Sequence, residues 1–212
     1  MLKKILAAVT LSAEAKLPRT LEMPIFPLGS VLFPGGVMPL KIFEQRYMDM
    51  AKGCLKNNAA FGICLIREGS EVGLPAVPEA VGTMARISEW DMQQLGVLQV
   101  RANGEERFRI VDRRVHESGL ILGTVETIGA DNIEDCPEFA PCREFLEKVL
   151  SKIGNAHFTG EPQLDDPSWV SFRITEILPI SQTIKQKMLE LTDARMRLET
   201  LHRVLKDQKL LT

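Results

Sequence analysis

The chain has 212 residues, a formal net charge of -2, 45% hydrophobic residues and 25% charged ones. That length and apolar content suffice for a real core and exclude disorder as the main state. The near-neutral balance excludes a field drawing the whole protein onto nucleic acid or anionic lipid. No apolar run in the sequence approaches the roughly 20 residues that span a bilayer, so a soluble, cytoplasmic protein without membrane contact is expected.

Met1 to Arg19 carry Lys3 and Lys4, a short apolar run from Ile5 to Leu11 and then Ala13-Glu14-Ala15, the outline of a weak signal peptide. The run is short for that purpose and Glu14 sits at the expected cleavage site. A non-secretory extension is the preferred reading, beside an amphipathic helix or a true start at Met23. Residues 1–22 are set apart as an extension, poorly ordered or helical.

From Met23 to about Ile128 the punctuation is that of β structure, with short apolar runs between Gly and Pro. Pro24-Ile25-Phe26-Pro27-Leu28-Gly29 opens it, and Leu32-Phe33-Pro34-Gly35-Gly36 follows. Phe43, Tyr47, Met50 and Ala51 recur at helical spacing, and Gly53 is expected to end that helix. Phe61 to Ile66 reads as a buried strand ending at Gly69; Val81 to Ile87 and Gly96 to Ala102 are strand-like. Asn103-Gly104 reads as a hairpin turn, because both residues accept positive φ. Phe108 to Val111 resumes as a strand. Along Leu120 to Ile128, Ile121, Val125 and Thr127 share one face and Thr124 and Glu126 the other.

After about Asp131 the period changes to helical. Phe139, Phe145, Leu146, Val149, Leu150 and Ile153 fit a helix entered at Pro137 and left at Gly154. His157 to Asp165 is a polar loop. Asp166-Pro167 is an N-cap with proline at the first helical position, and the helix it opens runs through Trp169, Phe172, Ile174 and Ile177 to Leu178-Pro179. Ile184, Met188 and Leu191 form the stripe of a third helix, and Thr192 or Asp193 caps a fourth carrying Leu198, Leu201 and Leu205. The fold class is therefore α+β: a β-rich domain over 23–130, then a small C-terminal helical bundle over 131–212.

No motif for chemistry emerges. Cys54, Cys64, Cys136 and Cys142 never fall as Cys-x-x-Cys and the three histidines are scattered, so no metal site is expected and the thiols read as small hydrophobes. A Walker-type phosphate loop, a Gly-x-Ser-x-Gly elbow and His-Glu-x-x-His are all missing from the sequence. Asp165-Asp166 is explained by capping, and Glu105-Glu106 by solvation. Arg101, Arg107, Arg109, Arg113 and Arg114 gather around one predicted hairpin, with Arg107 and Arg109 on one strand face. That could be a phosphate-contacting ridge, but Glu105, Glu106 and Asp112 are interleaved and no stacking aromatics accompany it.

The opening block Pro24-Ile25-Phe26-Pro27-Leu28, then Val31-Leu32-Phe33-Pro34-Gly35, Pro39-Leu40 and Ile42-Phe43-Glu44-Gln45-Arg46-Tyr47, resembles the start of the N-terminal, substrate-binding domain of ATP-dependent Lon proteases. Phe61-Gly62-Ile63-Cys64, Gly82 to Ile87 and Gly104 to Ile110 are similar in order and spacing, as are Leu178-Pro179 and the helices from Lys185 to Leu205. The resemblance implies a PUA-like β-pseudobarrel followed by helices, related to S16 peptidases, that handles protein substrates without catalysing their cleavage. Lon proteases continue into an ATPase module and a Ser-Lys peptidase. This chain ends at Thr212 and looks like a stand-alone Lon N-terminal-domain protein, so neither activity carries over and no cofactor is expected.

Pro24, Pro27, Pro34 and Pro39 read first as structural, fixing φ and limiting strand pairing. A recognition surface is expected beside Glu44, Arg46, Tyr47 and Met48 at the start of the predicted helix, with Arg107 and Arg109 as further candidates and exposed Met or Leu on the bundle as adaptable contacts. An open strand edge is a second way to take up a peptide. The expected function is a non-catalytic module for unfolded or partner polypeptide, with a role as an adaptor in protein quality control. The alternative is an RNA- or nucleotide-binding PUA-like protein, and an unrecognised hydrolase stands behind both.

Overall fold

In a computed structural model, residues 18–131, 136–154 and 158–211 are described; the reading of residues 1–17 as leader or helix lies outside them, as does His157. Seven strands come first: β1 (Thr20–Leu28), β2 (Val37–Ile42), β3 (Phe61–Glu68), β4 (Val77–Pro78), β5 (Val81–Gln94), β6 (Val97–Val115) and β7 (Ile121–Thr127). One helix, α1 (Gln45–Asn57), interrupts them. Four more follow: α2 (Phe139–Ile153), α3 (Pro167–Ile177), α4 (Gln182–Glu190) and α5 (Ala194–Asp207). The α+β expectation holds, a β-rich unit followed by helices.

Strands β1, β7, β6, β5 and β3 pair in succession, and β3 returns to β1 through a parallel seam from Ile25↔Gly62 to Leu28↔Leu65, so the sheet closes on itself. Closure joins these five strands into a ring, while β2 on β6 and β4 on β3 remain outside it. β6 is long enough to serve two neighbourhoods. Its first part lies between β5 and β2, with Leu98, Val100 and Ala102 opposite Ile42, Leu40 and Met38; its last part pairs with β7. β7 alternates as its sequence requires: Ile121, Val125 and Thr127 are buried, Glu126 is exposed.

The core has three connected parts. Met23, Ile25, Met84, Phe108, Ile121 and Val125 fill one part of the barrel. Helix α1 lays Tyr47, Met48, Met50, Ala51 and Cys54 on Phe26, Phe61, Leu98 and Val100. The C-terminal helices pack on one another and on Val31, Phe33, Leu65 and Val81 of the β unit. Strand structure begins at Thr20, with Leu21 opposite Val125, three residues before Met23.

Four sequence expectations change. Helix α1 runs through Gly53 and ends at Asn57, capped by Asn58 in the left-handed region (φ 48, ψ 42). A mid-helix glycine costs only about 1 kcal/mol, and asparagine tolerates the left-handed cap. Phe43 is not on the helix: extended Glu44 (φ -75, ψ 136) is its N-cap, so Phe43 leaves the buried stripe and is 56% exposed. Asn103-Gly104 lies inside β6, and the true hairpin turn is at Leu95-Gly96. The arginines from 101 to 114 are consequently strung along one strand instead of around a turn. Strand β2 was not expected, because Pro39 argues against a strand except at a sheet edge.

The helices follow their signals closely. Asp166 accepts from the Ser168 amide at 2.8 Å ahead of Pro167, and Ser181 from Ile184 at 3.3 Å. Asp193, rather than Thr192, caps α5, its Oδ1 accepting from Arg195 (2.8 Å) and Met196 (3.3 Å), and Leu198, Leu201 and Leu205 are fully buried. In α4 Met188 is buried, but Ile184 is half exposed. Asp193→Ala is expected to cost about 1 kcal/mol, seen as a lower urea midpoint with unchanged slope.

Candidate functional site

An apolar groove of about 500 Å³ opens where the end of β1, strand β2 and the start of α1 meet. Its apolar lining includes Phe26, Leu28, Met38, Leu40, Phe43 and Val72, with Tyr47 beneath them. The local sequence explains why these side chains converge. Along β2 the even-numbered residues Met38, Leu40 and Ile42 share one face, and Ile42 is buried against α1. The chain then turns through Phe43 and Glu44. The Glu44 carbonyl accepts from the amides of Tyr47 (3.0 Å) and Met48 (2.9 Å), which starts the helix and swings Tyr47 inward.

Tyr47 stacks on Phe26, centroids 4.0 Å apart and planes 23° from parallel. The Arg46 guanidinium lies 4.7 Å from the Tyr47 ring centroid, pairs with Glu44 Oε2 at 2.9 Å and donates to the Gly119 carbonyl at 3.2 Å. Burial pushes the Tyr47 phenol above its ordinary pKa; Arg46 acts against that and Glu44 adds to it. The phenol therefore stays protonated at neutral pH. The floor is an aromatic pair braced by a buried cation, shaped for apolar contact and not for proton transfer.

β2 pairs with β6, and among the described residues no strand pairs with its other edge. Pro39 offers no N–H there, and exposed Lys41 adds a charge. Both are devices that discourage strand addition. The groove consequently meets a partner with side chains more than with main chain.

The six residues singled out in the sequence separate. Glu44 and Tyr47 line the groove. Arg46 is buried behind it as a brace, and Met48 is buried in the core under α1. Arg107 is elsewhere: its side chain is 4% exposed, ion-paired with Asp131 at 2.5 Å and bonded to the carbonyls of Leu189 and Leu191. Arg109 is exposed on the far part of β6, opposite Val81 and Glu126. Arg86 and Arg101 pair with Glu105 and Glu89. The arginines thus form no common ridge.

Sequence reasoning missed Leu40, Phe43 and Val72. The alternation Met38, Leu40, Ile42 carried the signal for β2, and the N-cap position of Glu44 carried that for Phe43. A second exposed apolar set, Trp90 (61%) and Leu95 (96%), sits on the β5–β6 hairpin.

Among the described residues no three His, Cys, Asp or Glu side chains gather as for a metal ion, and no helix is long and apolar enough to cross a membrane. All four cysteines are free. Burial raises the Cys64 thiol strongly and pushes Cys142 up to about 12, with Cys136 and Glu138 adding to the latter, so neither is a ready nucleophile.

Residues 22–207 match the family model described as the ATP-dependent protease La (LON) substrate-binding domain. The chain is 25% identical over 197 residues to a Lon protease of Bacillus thuringiensis (strain Al Hakam), covering 88% of this chain and 24% of that protein. It is 27% identical to a Lon protease of Treponema pallidum (strain Nichols), covering 89% and 22%. The chain thus spans about a quarter of the length of the curated relatives it matches. Among solved structures, a Lon N-terminal domain protein from Xanthomonas campestris superposes with a TM-score of 0.71 at 36% identity, over 85% of this chain and 96% of that one. The N-terminal domain of a Mycobacterium avium complex Lon protease shares the fold, with a TM-score of 0.63 at 18% identity over 88% and 99%.

Proposed function

The chain belongs to the family of LON substrate-binding domains, and on that premise we propose that it is a non-catalytic module that takes up unfolded or partner polypeptide in the groove between β1, β2 and α1. The observation that carries this reading is the exposure of Phe43 at the rim of an apolar groove floored by Phe26 and Tyr47. Phe43 extends the apolar surface of the groove into solvent, and a contiguous apolar surface of this kind suits a docking partner. Glu44 and Tyr47 are the binding residues retained from the sequence; Arg46 acts through them. The dispersed, ion-paired arginines favour polypeptide over RNA. Free thiols, three of the four buried, fit the reducing cytoplasm, where the module would serve as an adaptor in protein quality control.

The test is fluorescence anisotropy with a labelled, permanently unfolded polypeptide. Micromolar binding is expected. Phe43→Asp, which leaves the core intact, should weaken it at least about tenfold, the equivalent of 1.4 kcal/mol. No binding across a broad panel of unfolded chains, or equal binding by Phe43→Asp, overturns the reading.

A further inference from the structure

Resting on that reading of the groove, we propose that the loop between β3 and β4, residues 69–76, is the groove's second wall. In this wall Val72 and Leu74 contact the bound polypeptide, and Glu71 is a positioning residue that latches the loop to the barrel.

Glu71 and Val72 line the same groove as Phe43. Val72 is 57% exposed and Leu74 88%, so the loop carries two aliphatic side chains that the fold itself does not use. The loop is pinched at its neck: a Cβ on Gly69 would stand 3.2 Å from the Cα of Ala76, and Ala76 is buried. Such a neck lets the intervening residues behave as one compact unit. Gly69 and Gly73 both have φ of +99°, a region that only glycine enters freely, so the course of this unit depends on glycine at both positions.

One contact sets where the unit stands. Glu71 Oε1 accepts from the Gly29 amide at 2.6 Å, and among the described residues this is the hydrogen bond that ties residues 70–75 to the rest of the protein. Gly29 directly follows Leu28 of β1, which lines the groove. The latch therefore fixes the loop to the strand whose end the ligand meets. Without it the loop would have to be ordered by the ligand, and that ordering would be subtracted from affinity.

The bond needs an acceptor, not a charge. Glutamine keeps a carbonyl oxygen at the same reach, whereas alanine removes it. The expected results follow from that difference, using the same labelled unfolded polypeptide and the full chain. Leu74→Ser should weaken binding about tenfold, by loss of most of one buried aliphatic side chain. Glu71→Ala should weaken it roughly fivefold and speed hydrogen exchange of the amides in residues 69–76, because the loop is released. Glu71→Gln should retain both wild-type affinity and wild-type exchange.

If Phe43→Asp abolishes binding while Leu74→Ser and Glu71→Ala bind as wild type, the second wall is wrong and the groove stands. If Glu71→Gln is as impaired as Glu71→Ala, the latch assignment is overturned. If the wild type binds no unfolded chain, both readings fall together. All three substitutions lie on exposed loop positions, so unchanged thermal unfolding is the expected control.

Discussion

Replacing Asp131 by alanine is expected to destabilise the protein by about 3–5 kcal/mol, the usual consequence of stripping a buried charge of its partner. The Asp131 side chain is 1% exposed and holds three elements together. It pairs with Arg107 of β6 at 2.5 Å, with Arg197 of α5, and accepts from the Ser168 hydroxyl of α3. Arg107 and Arg197 are 4% and 0% exposed and lie at 5.4 and 4.1 Å from the centroid of the Phe172 ring. Removing the carboxylate leaves two guanidinium groups facing one another with no counter-ion. Their bonds to the Leu189 and Leu191 carbonyls and to Ser171 Oγ satisfy donors without neutralising charge. Urea unfolding measures the loss. The triple change Arg107→Met, Asp131→Leu, Arg197→Met removes all three desolvated charges and should be far less destabilised than the single variant. Equal destabilisation of the two would show that packing at these positions, not unpaired charge, sets the cost.

The same network predicts the response to acid. Burial alone would raise the Asp131 carboxyl, but the hydrogen bond from Arg197, the charges of Arg197 and Arg107, and the Ser168 bond outweigh it and hold the group below the ordinary carboxylate range. A carboxyl depressed in the folded state contributes stability above its unfolded value, near pH 3.9, and loses it as pH falls through the folded one. Docking of the bundle on the barrel should accordingly weaken below about pH 4, and Asp131→Asn should flatten that part of the stability profile. Because Asp131 lies directly after the β unit, the loss is expected first in signals from Trp169 and the other bundle residues.

What the sequence disclosed about this architecture tracks with how local the determining physics is. Helices α3 and α5 begin at residues whose own side chains accept the first amides, Asp166 ahead of Pro167 and Asp193, so their starts were legible. Strand β2 was not. Its pairing with β6 is made by residues some sixty positions away, and Pro39 is acceptable only because the strand lies at an edge, a fact of topology. Arg107 shows the same limit at the site. Strand periodicity placed it beside Arg109, but it could not tell that the bundle and Asp131 cover one and leave the other in water. Phe43 and Val72 escaped notice for a related reason. Exposure of an apolar side chain is a statement about what fails to pack against it, and composition along the chain does not carry that.

Gly104→Ala is expected to cost about 3 kcal/mol or more, because the neighbour its methyl group strikes is backbone and cannot rotate away. A Cβ at this position would fall well under 3.0 Å from the Phe33 carbonyl oxygen, with Leu32 Cγ at 3.2 Å. Neither can yield cheaply. The Leu32 carbonyl accepts from Thr83 Oγ1 at 2.6 Å, the Gly104 amide donates to the Gly36 carbonyl and the Gly35 amide to the Gly104 carbonyl, both at 2.8 Å. Phe33 is fully buried, 5.6 Å from Phe172 of the bundle. This glycine thus sits inside a strand not to turn it but to let the segment from Leu32 to Gly36 lie against it, and that segment leads directly into β2 and the groove. The same substitution at Gly53 supplies the contrast: nothing lies within 4 Å of a Cβ there, the residue is in the middle of α1, and alanine should stabilise by about 0.5–1 kcal/mol. Chemical denaturation of the two variants should therefore shift in opposite directions. A Gly104→Ala protein as stable as wild type would mean that the loop before β2 does not rest on β6 as described, and the shape of the groove would have to be rebuilt from another support.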